Sequence, residues 1–203
     1  MDTNDILNRR QGQIAAGLGL GTVYGLDALW RPLEAEGAGC LLQRELTDGP
    51  FYLDLDLVRR NIKGDRKGTP LTLNFIALNA RTCRPIPNAS VEIWHTDAAG
   101  VYSGVEGNSG NFLRGIQRSG SKGRVRFETI FPGWYGGRTP HIHMKVLAGG
   151  DEVHTGQVFF RPATFSAVYR QGVYASRGQQ DTSNGDDSIY REAGSRAIVP
   201  LSR

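Results

Sequence analysis

Two histidines flank one apolar residue in Pro140-His141-Ile142-His143. Along an extended segment successive side chains alternate faces, so His141 and His143 point one way and Ile142 the other. Two imidazoles converging from one face form a metal-ligand arrangement. Six residues before His141 stands Tyr135, in the turn Pro132-Gly133-Trp134-Tyr135, and 33 residues before that stands Tyr102, closing Gly100-Val101-Tyr102. A free phenol ionises with a pKa of about 10, so a phenolate ligand at neutral pH requires a strongly Lewis-acidic ion. Ferric iron meets that requirement, and zinc meets it less well. A bare His-x-His more often belongs to histidines that only pair with their neighbours; the two tyrosines separate this chain from that reading.

Bringing such distant residues to one point takes strands and tight turns. The chain has 203 residues, one-domain length, with 39% hydrophobic and 22% charged residues, as globular proteins have. Its 27 glycines and few sustained helical periods indicate many turns and a β-rich fold. Pro70 to Leu78 alternates, with Leu71, Leu73, Phe75 and Ala77 on one face, and reads as a strand. Further strands are expected over Ala89 to Trp94, over Gly123 to Ile130 with Val125, Phe127 and Thr129 inward, and over Val153 to Phe160. On the last, Val153, Thr155, Gln157 and Phe159 share a face, and the inward amide of Gln157 requires polar partners. His154 falls on the opposite face and is expected to be exposed, whereas His95 reads as a structural histidine and Trp94 and Trp134 as pocket wall. Gly104 to Gly123 is rich in Gly, Ser and Asn and reads as a surface loop. From Pro162 onward a helical, irregular stretch ends in a short Ala197-Ile198-Val199 strand. The expected fold is therefore all-β, a two-sheet β-sandwich with irregular loops and a short helical C-terminal region.

The formal net charge is +4, yet the basic residues are spread out and no basic run exceeds two, which argues against a nucleic-acid surface. A mild positive field suits anionic aromatic acids equally well. Ile14 to Leu26 is apolar but only 13 residues long, too short for an integral membrane segment. It follows Arg9-Arg10, so residues 1–35 read either as an N-terminal arm or as a twin-arginine-like signal, and residues 36–203 as one β-sandwich domain.

The blocks IWHTDAAGVYSG, NFLRG, FETIFPGWYGGRTPHIH and GQVFF resemble the signature blocks of the intradiol ring-cleavage dioxygenases, the family of protocatechuate 3,4-dioxygenase and catechol 1,2-dioxygenase. The likeness runs from Thr47 to about Tyr190. It implies that Tyr102, Tyr135, His141 and His143 hold a non-haem Fe(III), with Tyr135 and His143 axial. It also implies that Arg138 and Gln157 stabilise charge on the substrate, that Tyr135 doubles as a base, and that a small-molecule catechol reacts with O2 to give a cis,cis-muconate-type product. Pro50, Tyr52 and Arg138 fall where such an enzyme reads its substrate. Cys40 and Cys83 resemble positions paired in exported members; such a bond would add roughly 4 kcal/mol on the chain-entropy model, and two separate thiols are the alternative. Together with the paired arginines this favours export, periplasmic or extracellular, over a cytoplasmic location. All four ligands lie on one chain, so a monomer or a homo-oligomer is feasible. Two other readings stay open: a non-catalytic β-sandwich binding module with a zinc or empty His-x-His site, and an Fe(II) oxygenase using two histidines and one carboxylate.

Overall fold

The structure is a computed structural model in which residues 14–19 and 43–201 are described. Seven strands are present among the described residues: β1 (Ile14–Gly19), β2 (Pro70–Asn79), β3 (Ser90–Trp94), β4 (Arg114–Arg118), β5 (Arg124–Ile130), β6 (His141–Ala148) and β7 (Asp151–Phe159). They form two antiparallel sheets, ordered β1-β2-β5 and β4-β3-β6-β7. The expected two-sheet, all-β architecture is what the chain adopts. Cys40, and the N-terminal segment apart from 14–19, lie outside the described residues; of the expected cysteine pair only Cys83 is among them.

Alternation places the core between the sheets. Leu71, Leu73, Phe75 and Ala77 of β2, with Val125 and Phe127 of β5, face Val91 and Ile93 of β3, Ile142, Met144 and Val146 of β6, and Val158 of β7 in one buried cluster. β6 is buried on both faces over its first six residues, which half-buried antiparallel strands ordinarily are not. Its second face is covered by segments that wrap the outside of the four-stranded sheet. Leu46 donates its amide to the Thr155 carbonyl (2.8 Å), and Leu46 packs with Phe159, Ala193 and Ala197 in a second small cluster.

Strand register lays out the functional side chains. Arg114, Trp94, His143 and Gln157 are successive direct partners across β4, β3, β6 and β7, so they form one row on the covered outer face. His141 starts the next row, opposite Phe159.

Three expectations need correction. Gly104 to Gly123 is not all loop, since β4 lies inside it and Arg114 is buried; the five residues RGIQR have little strand propensity and are held by pairing with β3. His154 is buried at 2% exposure, because the face of β7 opposite Gln157 is the one turned toward the core: His154 pairs with Val146 and shares that side with Gly156 and Val158, and the register shift that follows lets Val153 pack on the central core as well. The C-terminal region is helical as expected: α1 (Pro162–Val168) has proline in its first turn, and α2 (Ser188–Ala193) is capped by Asp187. The expected 197–199 strand reduces to one parallel bridge between Phe159 and Ile198. Among the described residues no helix is long and apolar enough to cross a membrane.

Candidate metal centre

Two turns carry the tyrosines to the histidine strand, and they interlock at glycines. Asp97 Oδ1 accepts from the amides of Ala99 (2.8 Å) and Val101 (3.1 Å), folding the turn before Tyr102. The Gly133 amide donates to the Asp97 carbonyl (2.9 Å), joining that turn to the one before Tyr135. At Gly100 φ is +80°, and a Cβ would stand 2.1 Å from the Trp134 carbonyl oxygen; at Gly133 it would stand 2.3 Å from the Asp97 carbonyl oxygen. Only glycine allows this approach, which explains two of the glycines flanking the tyrosines.

The four sequence-predicted ligands meet. His141 Nε2 lies 3.1 Å from His143 Nε2, 3.4 Å from Tyr102 Oη and 3.3 Å from Tyr135 Oη. His141 Nδ1 stands 2.7 Å from the Thr139 carbonyl. That carbonyl can only accept, so Nδ1 carries the proton and Nε2 presents a bare lone pair to the cluster. His143 is oriented differently: its Nδ1 is buried with no hydrogen-bond partner among the described residues. Its ring instead lies flat on Trp94, with centroids 4.9 Å apart at 10°.

Burial sets the protonation states. His141 is pushed down to about 3, first by desolvation and then by the Arg138 charge, and His143 well below the ordinary imidazole value, again by desolvation first. Both rings are therefore neutral and free to ligate. Burial also holds the Tyr102 phenol well above its ordinary value, with Tyr135 adding to the effect, and raises Tyr135 as well. Neither phenol would ionise unaided, and a multivalent cation at the shared point would reverse that preference. Donor atoms about 2 Å from one ion stand about 3 Å from each other, so this spacing and this donor set fit a small, hard, highly charged ion. Among the described residues no group of three or more His, Cys, Asp or Glu side chains could hold a metal, and the further donors beside the two histidines are the two phenols.

Arg138 borders the cluster. Its Nη1 is 3.5 Å from Tyr135 Oη and 3.3 Å from His141 Nε2, while Nη2 donates to Gln157 Oε1 (2.6 Å). Gln157 Nε2 donates to the Thr47 carbonyl (2.9 Å), which leaves Oε1 for the arginine. Tyr135 and Arg138 are half-buried while Tyr102, His141 and His143 are buried, so the cluster opens to solvent on the Tyr135 side. Pro50 is exposed. Tyr52 donates to Glu92 Oε2 (3.2 Å), lies under the Lys145 ammonium (3.7 Å to the ring centroid) and packs on Trp94 (5.1 Å). It meets the cluster through Trp94. Its neighbour Phe51, which sequence reasoning passed over, is the residue that stands against Tyr102 (4.7 Å) and Tyr135 (6.1 Å). Asp187 was also missed as a site residue: its carboxylate pairs with Arg138 Nε at 2.8 Å. An aspartate before SIYREA is legible as a helix cap, but nothing local signals its second partner.

A family model described as Dioxygenase matches residues 48–179, which include Tyr102, Tyr135, His141, His143, Arg138 and Gln157. The catechol 1,2-dioxygenase of Acinetobacter baylyi is 27% identical over 199 residues, covering 84% of this chain and 61% of that protein, so the chain spans about three fifths of that relative's length. Among solved structures, an intradiol ring-cleavage dioxygenase from Tetranychus urticae is 35% identical with a TM-score of 0.74, over 78% of this chain and 85% of that chain. The dioxygenase domain of a dioxygenase and carbohydrate-binding protein fusion from Streptomyces sp. SirexAA-E is 25% identical with a TM-score of 0.56, over 77% of this chain and 85% of that chain.

Proposed function

The chain belongs to the intradiol ring-cleavage dioxygenase family, and on that premise we propose that it is a non-haem Fe(III) enzyme. It uses O2 to open a catechol-type ring between the two hydroxylated carbons, and both oxygen atoms enter a cis,cis-muconate-type diacid. The observation that carries this reading is the meeting of Tyr102, Tyr135, His141 and His143 around His141 Nε2 at 3.1 to 3.4 Å.

Those four residues would hold the ferric ion, which when bound supplies the positive charge that ionises the phenols and prepares a catechol for attack by O2. Tyr135 is the ligand on the solvent side, with Arg138 Nη1 at 3.5 Å from its oxygen. It is the group placed to take a hydroxyl proton from an entering catechol. Arg138 then faces the substrate with a guanidinium fixed on two edges, and stabilises negative charge as it develops on the ring. Gln157 keeps that guanidinium in plane through its 2.6 Å bond. Phe51 offers an apolar wall beside both tyrosines, and Trp94 closes the cluster behind His143.

Oxygen consumption tests the reading. The iron-loaded protein given a panel of catechols should take up one O2 per catechol consumed and release a ring-opened diacid carrying both atoms of labelled O2. A protein that holds ferric iron yet consumes no O2 with any catechol refutes it.

A further inference from the structure

The carboxylate of Asp187 divides its two oxygens between two tasks. Oδ1 accepts from the amides of Ile189 (2.8 Å) and Tyr190 (3.2 Å), which caps α2. Oδ2 faces the other way and accepts from Arg138 Nε (2.8 Å) and the Thr139 amide (3.0 Å). A cap needs one acceptor, and serine, threonine or asparagine supplies it. The second oxygen serves a purpose the helix does not explain.

That purpose lies in what Arg138 and Thr139 do next. Arg138 has three donor edges: Asp187 takes Nε and Gln157 takes Nη2, so Nη1 is the edge turned toward Tyr135 and His141. Two fixed edges set the plane of a guanidinium, whereas one leaves it free to turn. Thr139 is gripped twice from the same segment, through its amide by Asp187 and through Oγ1 by Asn184 Oδ1 (2.6 Å). Its carbonyl in turn receives His141 Nδ1 (2.7 Å). The side chain of Asp187 is fully buried, and the residue lies beyond the segment that the family model matches, 48–179.

We propose that Asp187 is a positioning residue, a carboxylate on the C-terminal segment that sets the aim of Arg138 and, through Thr139, the orientation of His141. The effect on turnover rests on the proposed role of Arg138, while the hydrogen bond itself does not. A buried carboxylate also makes Arg138 a fixed charge, so the guanidinium arrives at the substrate already oriented.

The first readout is the Arg138 Nε–H resonance in the iron-free, full-length protein, assigned by its absence in Arg138→Lys. It should be sharp and slow to exchange in the wild type. In Asp187→Ser, which keeps a cap acceptor, it should be lost while the Ile189 and Tyr190 amides remain protected. Asp187→Asn, which keeps both cap and volume, should show the same loss, so poor folding of one variant does not hide the answer. In the iron-loaded protein both variants should retain iron, hold KM within a few fold and lose kcat by roughly 10- to 100-fold, the scale of a misplaced catalytic group. Added formate should restore part of kcat in Asp187→Ser and none in the wild type. An unchanged Arg138 resonance with wild-type kcat would overturn the proposal and leave Asp187 as a helix cap. Absence of turnover in the wild type would instead count against the dioxygenase reading, with the resonance still deciding the clamp.

Discussion

Trp94 lies flat against His143, ring centroids 4.9 Å apart and planes 10° from parallel. The two are direct partners across β3 and β6. His141 is held by a hydrogen bond to a carbonyl, while His143 is held by this stack, its Nδ1 having no partner among the described residues. The two histidines of one His-x-His are therefore oriented by different forces.

Replacing Trp94 with leucine should free the His143 ring to rotate. Ferric iron should then be bound about 10- to 100-fold more weakly, the usual effect of losing a group that orients a metal ligand. Competition against a chelator measures this directly. Trp94→Phe keeps a stacking face and should lose less; equal affinity in all three proteins would show that the stack plays no part.

Arg138→Ala should separate chemistry from metal binding. Iron content should match the wild type, because Arg138 supplies no lone pair. Turnover should fall by about 10²- to 10³-fold, the range seen when one group stabilising transition-state charge is removed. A parallel loss of iron, read by metal analysis alongside kcat, would place Arg138 in the metal site instead.

The interlocked turns predict a contrast between glycines. Gly133→Ala forces a Cβ to 2.3 Å from the Asp97 carbonyl oxygen, and unfolding in urea should report a loss of about 2 to 4 kcal/mol with impaired iron uptake. Gly137 also has positive φ (+81°) but nothing within 4 Å of its Cβ position. Its alanine variant should lose only about 1 kcal/mol, the conformational term alone.

Acid should destabilise the protein through histidines outside the cluster. Burial pushes His95 and His154 from the ordinary 6.5 to about 4. Below pH 6.5 the unfolded chain takes up their protons first, so stability is intact above that value and falls as the pH drops toward 4. By pH 5 the loss is on the order of 2 kcal/mol per histidine. Calorimetry from pH 7 to 5 should show a falling Tm, shallower in His154→Val; a flat profile would contradict the assignment.

Much of this was legible in the sequence because alternation is local. The inward faces of β2 and β5, and the shared face of His141 and His143, follow from period two alone. What stayed hidden depends on partners far along the chain. β4 exists because RGIQR pairs with β3, and His154 is buried because its side of β7, opposite Gln157, is the one that packs between the sheets. Asp187 reaches Arg138 across 49 residues of sequence, and a single chain carries no mark of that pairing. Phe51 was passed over beside Pro50 and Tyr52 because residues adjacent in a loop point in unrelated directions.

Tyr102, Tyr135, His141 and His143 are proposed to hold one ferric ion together. The visible spectrum of the protein reconstituted with Fe(III) tests this most directly. A broad tyrosinate-to-iron absorption is expected, giving a red-brown protein, weakened in Tyr135→Phe and in Tyr102→Phe, and shifting when a catechol is added without O2. A protein that stays colourless with ferric iron, or whose colour survives loss of both tyrosines, would contradict the account.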